Sequence, residues 1–236
     1  MKRLLLGSGG FSTPERMEHW RRALDAFLGP VEEVLFVPYA LADHDGYVAK
    51  LIERGFHGGR RLVGIHTKPD PRAAIENAQA IYIGGGNTFR LLHDLYRHDL
   101  LEPIRRRVAA GLPYIGVSAG TNVSTPTIKT TNDMPIVMPP SFDALGLVSF
   151  QINPHYFPGV IHFREGEGFT AYAGETRDDR LREFHEMNET PVLGLWEGTI
   201  LEVGDRGLGL KGMGGARLFR RGQLPRDLAI GEVFSI

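Results

Sequence analysis

The sequence predicts an α/β protein: a three-layer, mostly parallel sheet flanked by helices, with short antiparallel strands at the C-terminus. Three observations predict it. Short apolar runs alternate with amphipathic segments through the first two thirds of the 236 residues, the pattern of successive βα units. Glycines, prolines and capping side chains stand where one kind of segment gives way to the other. From Thr199 onward the chain breaks instead into short apolar pieces between Gly-Asp and Gly-Gly turns, as hairpins do. Since α/β folds of this length form around one core, the chain reads as one domain, residues 1–236.

The elements follow in order. Leu4 to Leu6 reads as the first strand. Thr13 and Pro14 supply an N-cap and a first-turn proline, and Met17, Trp20, Leu24, Phe27 and Leu28 then share one helical face before Gly29. Val34 to Val37 is a buried strand. Tyr47, Val48, Leu51 and Ile52 make a second helix closing near Gly55, Leu62 to Ile65 is a strand, and Asp70-Pro71 opens a short helix. Ala80 to Ile83 is the fourth strand, ended by Gly84-Gly85-Gly86-Asn87, with helix expected from Thr88 to about Ala110. Tyr114 to Val117 reads as the next central strand, with Ser118 at its end. Thr125 to Pro140 is rich in turns, Val148 to Ile152 is a strand, and His155 to Gly174 is irregular. Thr176, Asp178 and Asp179 cap and charge a helix carrying Leu181, Phe184 and Met187. Val192 to Trp196 is one more strand before the short pieces at Thr199 to Val203, Leu208 to Leu210 and Ala216 to Phe219.

Composition excludes several functions. With 28 acidic against 27 basic residues the net charge is -1, so there is no broad attraction for nucleic acid or an anionic membrane. The run Arg105-Arg106-Arg107 reads as a solvated helix face. The absence of cysteine removes disulfides, thiolate metal ligands and a cysteine nucleophile. No apolar stretch approaches the ~20 residues that span a bilayer. Three leucines after Lys2-Arg3 fall short of a signal-peptide core of about 7 to 15 residues, so a cytoplasmic protein is expected. HExxH is absent, and His185-Glu186 has Glu189 at the second ligand position, so neither a metal nor another cofactor is expected.

Gly116-Val117-Ser118-Ala119-Gly120 matches GxSxG, in which small residues flank a serine exposed on a tight strand-to-helix turn. The Gly84 to Thr88 loop also ends a strand and opens a helix, so its N–H groups could bind an anion. It has neither the lysine of GxxxxGK[ST] nor the spacing of GxGxxG. A better use is an oxyanion site made from the N–H groups of Gly86 and Ala119 at a shared sheet edge.

Eight blocks occur in order: Ile75 to Ala78 (IENA), Gly84 to Phe89 (GGGNTF), Ser118 to Gly120 (SAG), Thr130 to Val137 (TTNDMPIV), Phe142 to Leu145 (FDAL), Gln151 to His155 (QINPH), Gly174 to Arg177 (GETR) and Glu197-Gly198. On these blocks the chain resembles the dipeptidase E family, the α-aspartyl dipeptidases of serine peptidase family S51. The resemblance implies a class I glutamine amidotransferase-like fold with serine in place of cysteine. It also implies a cytosolic peptidase that releases N-terminal aspartate from dipeptides through a Ser-His-Glu triad, and a homodimer. Carried over, Ser118 is the nucleophile, His155 the general base and then acid, and Glu197 the carboxylate that orients the imidazole. His162 and His66 are the other histidines weighed as base.

Asp133 lies between Ser118 and His155 and would reproduce the Ser, Asp, His order of α/β-hydrolases. The resemblance favours Glu197, which follows a strand and so reaches the sheet edge. Asp133 is then read, with Asn87 and Asn132, as substrate-binding, an acceptor for the peptide's ammonium group. Arg177 would hold the aspartyl carboxylate through its planar fork; its alternative is a surface pair with Glu175 or Asp178. The segment from 156 to 173 is longer than in the family and carries Tyr156, Phe157, Phe163, Phe169 and Tyr172, readable as a lid, a flap at a dimer contact or a loop packing its own aromatics. Two other functions stay open on the sequence: a cyanophycinase-like β-aspartyl peptidase, and a non-catalytic domain of the same fold holding a small anion.

Overall fold

Parallel strands covered by helices on both faces become continuous apolar runs, and those runs form the centre of this protein. The computed structural model describes residues 2–9 and 11–236; Met1 and Gly10 lie outside the described residues. The elements are β1 (Leu4–Gly7), α1 (Pro14–Leu28), β2 (Glu33–Val37), α2 (His44–Glu53), β3 (Arg61–Gly64), α3 (Pro71–Glu76), β4 (Ile81–Ile83), α4 (Thr88–Arg97), α5 (Leu101–Ala109), β5 (Tyr114–Val117) and α6 (Ala119–Asn122). There follow β6 (Gln151–Tyr156), β7 (His162–Glu165), β8 (Gly168–Ala171), α7 (Arg177–Met187), β9 (Val192–Trp196), β10 (Thr199–Gly204), β11 (Gly207–Gly212), β12 (Gly215–Phe219), β13 (Arg226–Ala229) and β14 (Val233–Phe234).

The main sheet has the order β14-β11-β10-β1-β5-β4-β2-β3, parallel from β1 to β3 and antiparallel from β10 outward. Side chains alternate across it as the strand period of two requires. Leu5, Phe36 and Ile115 face a layer containing Trp20, Leu24 and Leu51 from α1 and α2. Leu4, Leu6, Leu35 and Ile83 face Ile75, Leu91, Leu95 and Ile104 from α3, α4 and α5. The three-layer α/β architecture expected from the sequence is therefore present.

Five expectations need correction. Helix does not run unbroken from Thr88 to Ala110. Asp99 takes φ 52, its N–H and that of Leu100 bond back to Tyr96 and Leu95, and buried Leu100 packs in the core with Leu95. That is a Schellman stop built on an aspartate. The strand placed at Val148 to Ile152 begins at Gln151 and runs to Tyr156, so His155 lies within a strand rather than after one.

This strand and β9 do not join the main sheet. They form a second sheet, β13-β12-β9-β6, so the C-terminal strands divide between two sheets. The stretch from His155 to Gly174 contains the β7–β8 hairpin, while Tyr156 leaves the proposed loop and packs against Phe219 in the core. Finally, Arg105 and Arg107 are partly buried clamps, while Arg106 is exposed and keeps to the solvated face. Arg105 donates to the carbonyls of Ala144 and Leu145, Arg106 pairs with Glu76, and Arg107 donates to the carbonyl of Ala78.

Candidate active site

Ser118 sits where β5 gives way to α6, at φ 54 and ψ -108. A non-glycine residue held there costs on the order of 1–3 kcal/mol, which the surrounding packing must sustain. Both flanking glycines are sterically required. A Cβ on Gly116 would lie 2.6 Å from the Gly120 carbonyl oxygen, and one on Gly120 would lie 2.0 Å from that of Ile83. The Ser118 N–H donates to the Gly7 carbonyl at 3.0 Å, tying the turn to β1. The GxSxG reading of this turn agrees with that geometry.

His155 is reached from the other sheet. The register of β6 against β9 shifts between Asn153 and Tyr156, and within that bulge His155 adopts φ 56. Its Nε2 stands 2.8 Å from Ser118 Oγ and its Nδ1 2.5 Å from Glu197 Oε1. An acceptor carboxylate at Nδ1 fixes the proton there and leaves the Nε2 lone pair facing the serine hydroxyl. The hydrogen bond from His155 is the main cause holding the Glu197 carboxyl below the usual range. Desolvation opposes it, and the charges of His155 and Arg16 add to it. His162 lies exposed on the hairpin, and His66 bonds Asp45, so neither runner-up stands beside Ser118.

The glycine loop packs directly on the elbow. A Cβ on Gly85 would lie 3.1 Å from that of Ser118, and one on Gly86, at φ 134, would lie 2.5 Å from the Ala40 carbonyl oxygen. Partly buried Tyr47 donates to the Gly85 carbonyl at 2.9 Å; desolvation pushes its hydroxyl up to about 12. Among the described residues, no group accepts from the N–H groups of Gly85, Gly86 or Ala119. Gly85 was not singled out by the sequence, because nothing in a glycine triplet tells which residue abuts the serine.

Three of the predicted substrate residues, Asn87, Asn132 and Asp133, are fastened by hydrogen bonds to the start of α4 and to β6. Asn87 caps α4 by accepting from the Arg90 N–H at 3.0 Å, and its Nδ2 donates to the Met134 carbonyl at 2.8 Å. Asn132 donates to the Pro154 carbonyl at 2.7 Å and accepts from Asn153 at 2.9 Å, fastening the segment beside His155. Asp133 Oδ2 accepts from the Thr88 N–H at 2.7 Å and from the hydroxyls of Thr88 and Thr131. Asp133 thus bonds the start of α4, whereas Glu197 holds the imidazole.

Arg177, the first residue of α7, is partly buried. Desolvation, and then the charge of Arg180, lowers its basicity. The surface pairs considered for it do not form. Arg180 takes Glu175 at 2.6 Å, and Asp178 is engaged by the Tyr156 hydroxyl and by Arg217 at 3.2 Å. Beside it every residue from 157 to 176 is exposed, including Phe157, Phe163, Phe169 and Tyr172.

A serine strained on a strand–helix elbow, with an imidazole and a carboxylate aligned behind it, defines a hydrolytic α/β enzyme. The family is equally plain: the model of Peptidase family S51 matches residues 3–210, and the chain belongs to that family. It is 49% identical to Peptidase E of Streptomyces coelicolor, over 100% of this chain and 94% of that protein. It is 48% identical to a Drosophila melanogaster protein named "Probable alpha-aspartyl dipeptidase", over 96% of this chain and 92% of the relative. In fold it is similar to a peptidase from an acI-B1 Actinobacterium, with a TM-score of 0.68 and 16% identity, covering 100% of this chain and 97% of the other. Among the described residues no helix is long and apolar enough to cross a membrane, and no group of histidine and acidic side chains is placed to hold a metal ion.

Proposed function

We propose that one peptidase domain spans the chain and acts as a cytoplasmic serine dipeptidase, hydrolysing Asp-Xaa dipeptides through an acyl-enzyme on Ser118. The observation that carries this reading is the chain of contacts from Ser118 Oγ to His155 Nε2 at 2.8 Å and from His155 Nδ1 to Glu197 Oε1 at 2.5 Å. Ser118 Oγ attacks the carbonyl carbon of the aspartyl residue while His155 Nε2 takes the hydroxyl proton. The carbonyl electron pair moves onto oxygen, which faces the free N–H groups of Gly86 and Ala119. The C–N bond then breaks, and the proton on His155 passes to the departing amine. Water attacks the acyl-enzyme with His155 again as base; the proton returns to Ser118 Oγ and aspartate leaves. Glu197 stays ionised throughout and offsets the imidazolium, in keeping with its lowered carboxyl.

Arg177 supports the aspartate preference, since it is a partly desolvated guanidinium whose neighbouring acids are already paired. Asp133, with Oδ2 committed to α4, offers its other oxygen to the substrate ammonium, and Asn87 and Asn132 hold the segment around it in place. The exposed aromatic hairpin supports a homodimer that covers it, which light scattering checks directly. Specificity is tested by the release of p-nitroaniline from aspartyl-, asparaginyl- and leucyl-p-nitroanilide in the presence of a chelator. Turnover of the aspartyl compound alone is expected. Equal turnover of the leucyl compound would remove the Arg177 pocket, and activity on β-aspartyl peptides alone would move the reading to a cyanophycinase-like enzyme.

A further inference from the structure

The hydroxyl of Ser8, just past β1, is fully buried at 0% exposure, and a buried hydroxyl needs partners. It has two. It donates to the Leu195 carbonyl at 2.9 Å and accepts from the backbone N–H of His155 at 2.8 Å. These groups belong to neighbouring strands at the point where their pairing slips. β6 and β9 are in register from Gln151↔Val192 to Asn153↔Gly194 and again at Tyr156↔Trp196, so Pro154 and His155 together oppose Leu195. Proline has no N–H to give, and a bulge carries the next residue out of the ladder. The serine hydroxyl stands in that gap as a rung between the two strands.

The residues on either side of Ser8 address the rest of the site. The Gly7 carbonyl accepts from the Ser118 N–H at 3.0 Å, and the Gly9 carbonyl accepts from the N–H of Gly198, next to Glu197, at 2.9 Å. A Cβ on Gly9 would lie 2.2 Å from His155 Cε1, so the imidazole rests on bare backbone there. Gly7-Ser8-Gly9 therefore touches the nucleophile, the base and the residue after the acid, although these come from different parts of the chain.

We infer that Ser8 is a positioning residue for the base: its hydroxyl holds open the β6 bulge that aims His155 at Ser118. The inference rests on the Ser118–His155–Glu197 reading above. Without the hydroxyl, the His155 N–H and the Leu195 carbonyl lose their partner, and the bulge relaxes toward a regular register that carries the imidazole away from Ser118. The change reaches the substrate side only indirectly, through the bond from Asn132 to the Pro154 carbonyl, so most of the loss falls on kcat rather than KM.

The test is a double-mutant cycle on aspartyl-p-nitroanilide turnover, with Ser8→Ala and Ser8→Cys made in the wild-type and His155→Ala backgrounds and thermal melts run on each. Ser8→Ala is expected to lower kcat about 100-fold in the wild-type background while KM stays within about threefold. In the His155→Ala background the same change should cost less than about twofold, because the residue it positions is gone. A folded Ser8→Ala protein with kcat near wild type would overturn the inference, as would an equal fold-loss in both backgrounds, which marks a merely structural role. Ser8→Cys, close in size but a weaker hydrogen-bonding group, carries the same cycle if Ser8→Ala fails to fold. Full activity in His155→Ala alone would instead remove the triad reading on which the inference stands.

Discussion

Two carboxylates compete for the third place beside Ser118 and His155, and they differ in what they touch. Glu197 contacts the imidazole, whereas Asp133 accepts three hydrogen bonds around the start of α4. Glu197→Gln should therefore lower kcat on the order of 10³- to 10⁴-fold, because an amide there no longer fixes the productive tautomer. Asp133→Asn should act mainly on KM, with kcat within about tenfold of wild type. Steady-state kinetics of the two variants separates them; the reverse ranking would exchange their roles.

Glu197 also leaves a mark on stability. Its carboxyl is lowered in the folded state from an ordinary value of 4.5, so the stability it contributes is present above that value and is lost as pH falls through the lower folded one. That side chain is 40% exposed and so open to solvent screening, which keeps the effect modest. Urea melts between about pH 5 and pH 2 should show a shallower acid loss in Glu197→Gln than in wild type. At this scale the sequence showed Ser118 through GxSxG, and family resemblance marked His155 and Glu197. Ser8 and Gly85 were invisible, because their importance lies in contacts with residues far along the chain.

Elements whose limits rest on local chemistry were legible. Thr13-Pro14 and Gly29 bracket α1, and Thr176 with Asp179 forms the reciprocal cap that starts α7. The break between α4 and α5 was not, because its left-handed residue is Asp99 rather than glycine. Asp99→Gly should raise stability by about 0.5–1 kcal/mol in denaturant unfolding, since glycine takes that conformation without a Cβ clash. The elbow predicts the opposite for Gly120→Ala. A methyl 2.0 Å from the Ile83 carbonyl oxygen cannot be accommodated without moving β4 or α6. A loss of several kcal/mol, or about 3, is expected together with loss of activity. A folded, active Gly120→Ala protein would contradict the packing described for the turn.

Over the whole molecule, the α/β class follows from hydrophobic periodicity, but the division of strands between two sheets does not. Val192 to Trp196 is equally apolar whichever sheet it joins, and the bulge that turns His155 toward Ser118 arises only when β6 and β9 pair. The proposed site therefore lies on a seam, with Ser118 supplied by the main sheet and His155 by the second, while Glu197 follows β9 just before the chain re-enters the main sheet as β10. Against this frame the 157 to 176 arm is exposed throughout, so in the free protomer, without the proposed dimer contact over it, limited proteolysis should cut there before either sheet opens.

The most direct test of the central claim is turnover of aspartyl-p-nitroanilide by wild type and Ser118→Ala, each verified as folded by circular dichroism, with chelator present. The expected result is robust wild-type release and a fall of about 10⁴-fold or more in the variant, since an alanine leaves no oxygen to attack. Equal turnover by the two proteins would contradict the assignment of Ser118 as nucleophile and, with it, the mechanism built on the seam.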